Sequence, residues 1–255
     1  MANPRLLIDQ TLHAGAEIAL DEAQARHVGT VLRLDAGDSL RVFNARDGEW
    51  RARVSAKTKR GMSVRVEALL REPREAPDLD LLFAPVKRHA TDLIVEKATE
   101  LGVRRIRPVI TQRTIAETVR VDRLQSIARE AAEQTERFDA PEICEPLSLA
   151  RALDGWDASR PLIYADEAGD DASAPWGGES GRAEPILAAL QKVKAERLAL
   201  LIGPEGGFTA EERRMLRSLT HVIAVSLGPR ILRAETAAIA ALSVVQSSWG
   251  DWGQG

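Results

Sequence analysis

Between Arg5 and about Leu70 the apolar positions fall in short runs of period two, clearest in Ser39-Leu-Arg-Val-Phe43 and Met62-Ser-Val-Arg-Val-Glu67. Asp35-Ala-Gly-Asp38, Arg46-Asp-Gly48 and Arg60-Gly61 separate them. Alternation bounded by Asp-Gly and Gly-Asp turns predicts small antiparallel strands with one face buried, and so a compact β-barrel-like module. Ala23–Arg33 has helical spacing instead. Arg71-Glu-Pro-Arg-Glu-Ala-Pro-Asp78 places two prolines among alternating charges, which suits neither a ladder nor a helix. It divides the chain into residues 1–72 and 78–255.

Past this boundary the rhythm changes. Leu79–Ala84, Arg105–Ile110, Pro161–Tyr164, Leu198–Ile202 and Val222–Leu227 read as buried strands, each followed at some distance by a helical pattern. Ala90, Leu93, Ile94, Ala98 and Leu101 form one helical stripe that stops at Gly102. Asp122, with Gln125 three residues on, opens another, carrying Leu124, Ile127, Ala128 and Ala131. Apolar strands alternating with helices predict an α/β domain with a mostly parallel sheet. The Gly- and Asp-rich stretch Asp166–Arg182 reads as a solvated loop.

Composition narrows the classes. The 255 residues are 44% hydrophobic and 29% charged, enough for a core. Lys plus Arg total 35 against 38 Asp plus Glu, a balance that excludes a uniformly basic nucleic-acid coat but not local patches. No run reaches the roughly 20 apolar residues of a membrane helix, and Asp9 interrupts the N-terminal apolar run too early for a signal peptide. A cytoplasmic protein is expected. The single Cys144 excludes a disulfide framework, and His13, His27, His89 and His221 show no ligand spacing, so no metal is expected.

Two motifs carry chemistry. Leu201-Ile-Gly-Pro-Glu-Gly-Gly-Phe208 follows a strand, and Thr209 with Glu212 forms a capping box that starts a helix behind it. Glycines in such a turn admit a ligand to the backbone, where a Cβ would block it. The spacing is neither a dinucleotide fingerprint nor a phosphate loop. Glu205 would repel a phosphate, so a neutral or cationic ligand suits the loop better. A tight turn with a helix cap and no ligand is the alternative, and spacing alone does not separate the two. Leu227-Gly-Pro-Arg-Ile-Leu-Arg-Ala-Glu-Thr-Ala237 again ends an apolar strand, ahead of a helix apolar nearly all round. Arg230, Arg233 and Glu235 read either as the mouth of a site or as a surface salt-bridge cluster. Two glycine loops at the carboxyl ends of neighbouring strands favour a site, because open α/β sheets bind ligands there.

Arg51, Arg53, Lys57, Lys59, Arg60 and Arg65 lie close together with no acid interspersed, and on alternating strands they would share one face. Such a face either neutralises phosphates or is simply solvated. Lys87 and Arg88 make a smaller group, while Arg104, Arg105 and Arg107 read equally as ordinary strand edges.

Together the two glycine motifs closely resemble the paired signature of the bacterial ribosomal RNA uridine N3-methyltransferases, the RsmE family. His27-Val-Gly-Thr-Val-Leu-Arg33, Glu96-Lys-Ala-Thr-Glu-Leu-Gly102 and Ala132-Glu-Gln-Thr-Glu-Arg137 leading to Pro141-Glu-Ile143 match in the same order, so the resemblance spans nearly the whole chain. Asp166–Arg182 has no counterpart in it. The resemblance implies a PUA-like RNA-binding barrel over residues 1–72 and a SPOUT methyltransferase domain with a trefoil knot over 78–255. It implies S-adenosylmethionine as methyl donor, a homodimer formed through the C-terminal domain, and N3 of one uridine in small-subunit ribosomal RNA, free or in the subunit, as acceptor. Carried over by motif, Ile202, Gly203, Pro204, Glu205, Gly206, Gly207, Leu227, Gly228, Ile231, Leu232, Arg233, Thr236 and Ala237 would bind the cofactor. Arg233 would orient the uracil or its phosphate; Glu205 and Glu235 are the nearest carboxylates, and the sequence does not show which, if either, accepts the proton. Arg5, Arg33, Arg51, Arg53, Lys57, Lys59, Arg60, Lys87 and Arg137 would contact RNA. A related enzyme acting on another RNA, such as tRNA ribose 2′-oxygen, and a non-catalytic RNA-binding assembly protein are the competing readings.

Overall fold

A computed structural model describes residues 3–58, 61–116, 118–171 and 173–253. Lys59 and Arg60, two of the expected RNA contacts, lie outside the described residues. The chain forms two compact units: Met1–Glu75 with Ala132–Asp139, and Ala76–Ala131 with Ala140–Gly255.

The first unit holds β1 (Arg5–Leu7), β2 (Glu17–Ala19), α1 (Glu22–Arg26), β3 (Ser39–Asn44), β4 (Gly48–Thr58) and β5 (Gly61–Arg71). They form one sheet in the order β1-β3-β4-β5-β2. Leu40 and Val42 on β3, Ala52 and Val54 on β4, and Met62, Val64 and Val66 on β5 alternate inward around a core shared with Leu6, Ile18 and Val28. The expected antiparallel pattern holds except at β1, which runs parallel to β3. The intervening residues 8–38 carry β2 and α1 and supply the long crossover that a parallel pair requires. The helical stretch after Asp21 is also divided: α1 has a capping box between Asp21 and Gln24, then His27–Val31 widens into a π-helical turn.

The second unit contains β6 (Asp78–Phe83), α2 (Arg88–Glu100), β7 (Arg105–Ile110), α3 (Val121–Gln134) up to Ala131, β8 (Glu142–Ile143), β9 (Leu147–Ser148), α4 (Leu149–Leu153), β10 (Leu162–Ala165), β11 (Glu184–Pro185), α5 (Ile186–Leu190), β12 (Arg197–Ile202), α6 (Ala210–Ser218), β13 (Val222–Ser226) and α7 (Ala234–Ser248). Its main sheet is parallel, in the order β11-β13-β10-β12-β6-β7-β8. The strands are apolar on both faces because both are covered. Leu81, Phe83, Ile163, Leu200 and Ile202 pack with residues of α2, α3, α5 and α7. Their neighbours Leu82, Leu162, Tyr164 and Leu201 pack with Leu149, Phe208 and Leu216 on the other side. One face of α7 is buried through Ala237, Ala238, Ala241, Leu242 and Val245, while Ile239, Ala240 and Val244 are half-buried.

Two local expectations are corrected. α3 begins at Val121, and the Asp122 carboxylate is taken by Arg120, 2.7 and 3.0 Å away. The stretch from Asp166 is no free solvated loop: Asp166 is buried, and Arg213 and Arg217 of α6 hold it by ion pairs of 2.9 and 2.7 Å. The same arginines donate to the carbonyls of Ala168, Gly169 and Gly181, which fastens the segment onto α6.

Candidate functional site

Strand order decides how the two glycine motifs meet. The expectation of neighbouring strands is wrong: β12 and β13 do not pair, and β10 lies between them, parallel to both. Three strand ends therefore converge. Residues after β12, after β13 and after β10 line one cleft, among them Ala165, Asp166 and Glu167 from β10 and its exit.

The first motif is fixed on several sides. Gly203 has no room for a side chain, because an added Cβ would stand 2.5 Å from Cε2 of Phe208. Phe208 is itself buried, edge-on to buried Tyr164 with ring centroids 5.0 Å apart. Gly207 closes the turn at φ 67° and donates its N–H to the Pro204 carbonyl. The capping box forms as the spacing predicts: Thr209 Oγ1 accepts from Glu212 N, and Glu212 Oε2 accepts from Thr209 N at 2.9 Å. Glu212 Oε1 also accepts from Gln112 N at 2.8 Å, and Arg113 Nη1 donates to the Gly206 carbonyl at 2.7 Å. The loop after β7 thus clasps the glycine turn.

In the second motif Gly228 takes φ 110°, where L side chains are strained, and its N–H reaches Ser226 Oγ at 3.2 Å. Arg230, Ile231 and Arg233 are exposed, and no ion pair involves Arg230, Arg233 or Glu235 among the described residues, so no salt-bridge cluster forms. Glu235 is half-buried, with Oε2 lacking a hydrogen-bond partner.

Of the residues expected at the cofactor, Ile202, Gly203, Pro204, Glu205, Leu227, Gly228, Ile231, Leu232 and Ala237 line the cleft together. Gly206 and Gly207 line an adjoining, wider cleft. Arg233 stands at the N-terminal boundary of α7 without a side-chain cap and, like exposed Thr236, lines neither cleft. Sequence reasoning missed Asp166 and Glu167, which border both clefts. A readable signal existed: they follow directly on the apolar strand Leu162–Ala165, and acids at a strand's carboxyl end stand where ligands bind. Desolvation, reinforced by the Asp166 carboxylate, holds Glu167 above the usual carboxylate range.

The expected basic face is reshaped by tertiary neighbours. Arg5 is buried: its Nε meets Glu49 Oε1 at 2.8 Å, its guanidinium lies 3.9 Å from the Phe43 ring centroid, and it donates to the carbonyls of Ala132, Glu133 and Arg137. It presents nothing to a phosphate. Arg137 is largely buried and paired with Asp139 at 3.0 Å. Arg51 and Arg53 point outward but share Glu67, at 3.1 and 3.0 Å, and Lys57 pairs with Asp35. Acids absent from the local run are thus supplied by other segments. Arg33, Arg65 and Lys87 are exposed and outside the ion pairs of the described residues. In the second unit Arg105 and Arg107 belong to an inward network with buried Asp80, joined by buried Arg160. Among the described residues no group of His, Cys, Asp and Glu forms a metal centre, and no helix is long and apolar enough to cross a membrane.

Comparison with known proteins agrees with this geometry. Residues 74–246 match the model of an RNA methyltransferase domain and residues 20–67 that of an RNA methyltransferase PUA domain. The ribosomal RNA small subunit methyltransferase E of Rickettsia conorii is 33% identical over 95% of this chain and 94% of its own length. A crystal structure of a ribosomal RNA small subunit methyltransferase E from Neisseria gonorrhoeae, bound to S-adenosyl methionine, superposes with TM-score 0.80 at 26% identity, covering 98% of this chain and 99% of that one. A Legionella pneumophila methyltransferase in complex with the same cofactor gives TM-score 0.82 at 31% identity, covering 98% and 100%. With SPOUT-type fold, PUA-like unit and paired glycine loops all in place, the chain belongs to the RNA methyltransferase family.

Proposed function

We propose that the protein transfers a methyl group from S-adenosylmethionine to N3 of a uridine in small-subunit ribosomal RNA, in the cytoplasm. The carrying observation is the cleft formed where the ends of β10, β12 and β13 meet. It fits the cofactor: Ile202, Leu227, Ile231 and Leu232 offer apolar walls for an adenosine, and Glu205 offers negative charge to a sulfonium. Arg230 is the cation among the lining residues, and no lysine lines the cleft for a phosphate.

When bound, the cofactor supplies an activated methyl group. The chain's own work is alignment, and holding donor and acceptor in a near-attack pose contributes about 7–11 kcal/mol in well-oriented systems. The clasped first loop fixes one wall. The exposed second loop brings backbone groups and Leu232 against the other. Arg233, at the entrance to α7, orients the uracil or a neighbouring phosphate and favours the charge that develops on the ring oxygens. It is too basic to serve as proton acceptor. The first unit supplies RNA affinity through exposed Arg33, Arg51, Arg53 and Lys57, and the second unit adds Lys87, shortly after β6. A homodimer forms through the C-terminal domain, which would cover the half-buried Ile239 and Val244 of α7.

The test is incubation with labelled S-adenosylmethionine and small ribosomal subunits from a strain lacking the modification, followed by mapping of the label. Label on uracil N3 supports the reading; label on a ribose oxygen, or none, overturns it.

A further inference from the structure

Removal of the N3 proton needs an acceptor, and the chain must place one beside both donor and uracil. Three carboxylates border both clefts: Asp166, Glu167 and Glu205. Asp166 is committed, its two oxygens held by Arg213 and Arg217. Glu205 is exposed at the tip of its turn, where solvent competes for it. Glu235 lines neither cleft. Glu167 stands at the end of β10, is half-buried, and takes part in no ion pair among the described residues. The segment beyond it is pinned to α6, so its position is set by a strand on one side and by two arginine anchors on the other.

We propose that Glu167 is the general base that accepts the N3 proton of the target uracil. The assignment rests on uracil N3 methylation being the reaction. The N3–H bond breaks, its proton passes to a Glu167 oxygen, and the N3 electron pair forms the new bond to the methyl carbon. The carbon–sulfur bond breaks with its electrons left on sulfur as a neutral thioether, and Glu167 then returns its proton to solvent. Burial suits the task, since a carboxylate held above its ordinary range is a better base near neutrality than a solvated one. The charged groups lining the two clefts with it are Asp166, Asp170 and Asp171 on its own segment, Arg213 on α6, Glu205 at the first loop, Arg113 on the loop after β7, and Arg230 at the second loop.

Wild type, Glu167→Gln and Glu167→Asp are compared by methyl transfer to unmodified small subunits across pH, by calorimetry with S-adenosylmethionine, and by carboxyl NMR titration of the cofactor-free chain. Glu167→Gln should lose about 10²–10⁴-fold in kcat while its cofactor Kd stays within about twofold of wild type. Glu167→Asp should recover part of the loss. The wild-type rate should fall toward acid along the titration of a carboxyl resonance that the Gln variant lacks. Turnover of Glu167→Gln within about tenfold of wild type overturns the assignment. So does a loss wholly explained by weaker cofactor binding, which would make Glu167 a partner of the sulfonium instead. If wild type places no label on uracil N3, the parent reading fails, an outcome distinct from active wild type beside an active Gln variant.

Discussion

The two glycine loops sit on the same cleft and are built differently. The turn after β12 is locked from outside itself: Phe208 fills the space beside Gly203, Glu212 joins the start of α6 to Gln112, and Arg113 holds the Gly206 carbonyl. The turn after β13 has a serine hydroxyl at Gly228 and exposed side chains at Arg230, Ile231 and Arg233. One wall is braced by side chains from other segments, while the other rests on the core through Leu227 and Leu232 and leaves three neighbouring side chains exposed. The second wall is therefore expected to gain order when the cofactor enters, which would confine the entropic cost of binding to one side.

The largest break in this contrast should come from Gly203→Ala. Its methyl meets a ring that Tyr164 prevents from retreating, so a stability loss of about 3 kcal/mol is expected in urea denaturation, with S-adenosylmethionine binding lost in calorimetry. Glu212→Ala leaves the N–H groups of Thr209 and Gln112 without their acceptor and should cost about 2 kcal/mol, read in the same assay. Arg113→Ala removes one exposed hydrogen bond; about 1 kcal/mol or less is expected, with faster amide exchange confined to residues 203–207. Arg230→Ala should leave stability within about 0.5 kcal/mol of wild type, because nothing in the fold leans on it. Hydrogen exchange sharpens the same point without mutation: amides of 203–208 should be protected before the cofactor is added, and those of 227–232 should gain protection after it. Equal protection of both loops in the free protein would erase the distinction.

The basic residues repeat the contrast between local and tertiary information. Arg51 and Arg53 follow one another on one face of β4, as alternation requires, yet Glu67 reaches both from β5. Arg5 reads as a free N-terminal cation and is instead buried over Phe43, satisfying three carbonyls of residues 132–137. Neither fact is visible along the chain, since both depend on which distant segments lie alongside. Charge reversal at Arg51 and Arg53 should therefore weaken RNA binding less than their count suggests, with a correspondingly shallow change in salt dependence.

Period-two alternation, turn residues and the Thr209–Glu212 box determined the strands of the first unit, the parallel α/β character of the second, and the start of α6. These features depend on neighbours within a few residues, so local chemistry suffices for them. The paired glycine turns marked the cleft for the same reason, because backbone conformation is a local demand. Tertiary structure alone decided that β10 separates the two turns and that, of the two acids after β10, Asp166 is consumed by α6 while Glu167 is left without an ion pair among the described residues. Strand order is set by how faces covered by different helices pack together, a choice made among segments tens of residues apart, and no spacing in the sequence records it.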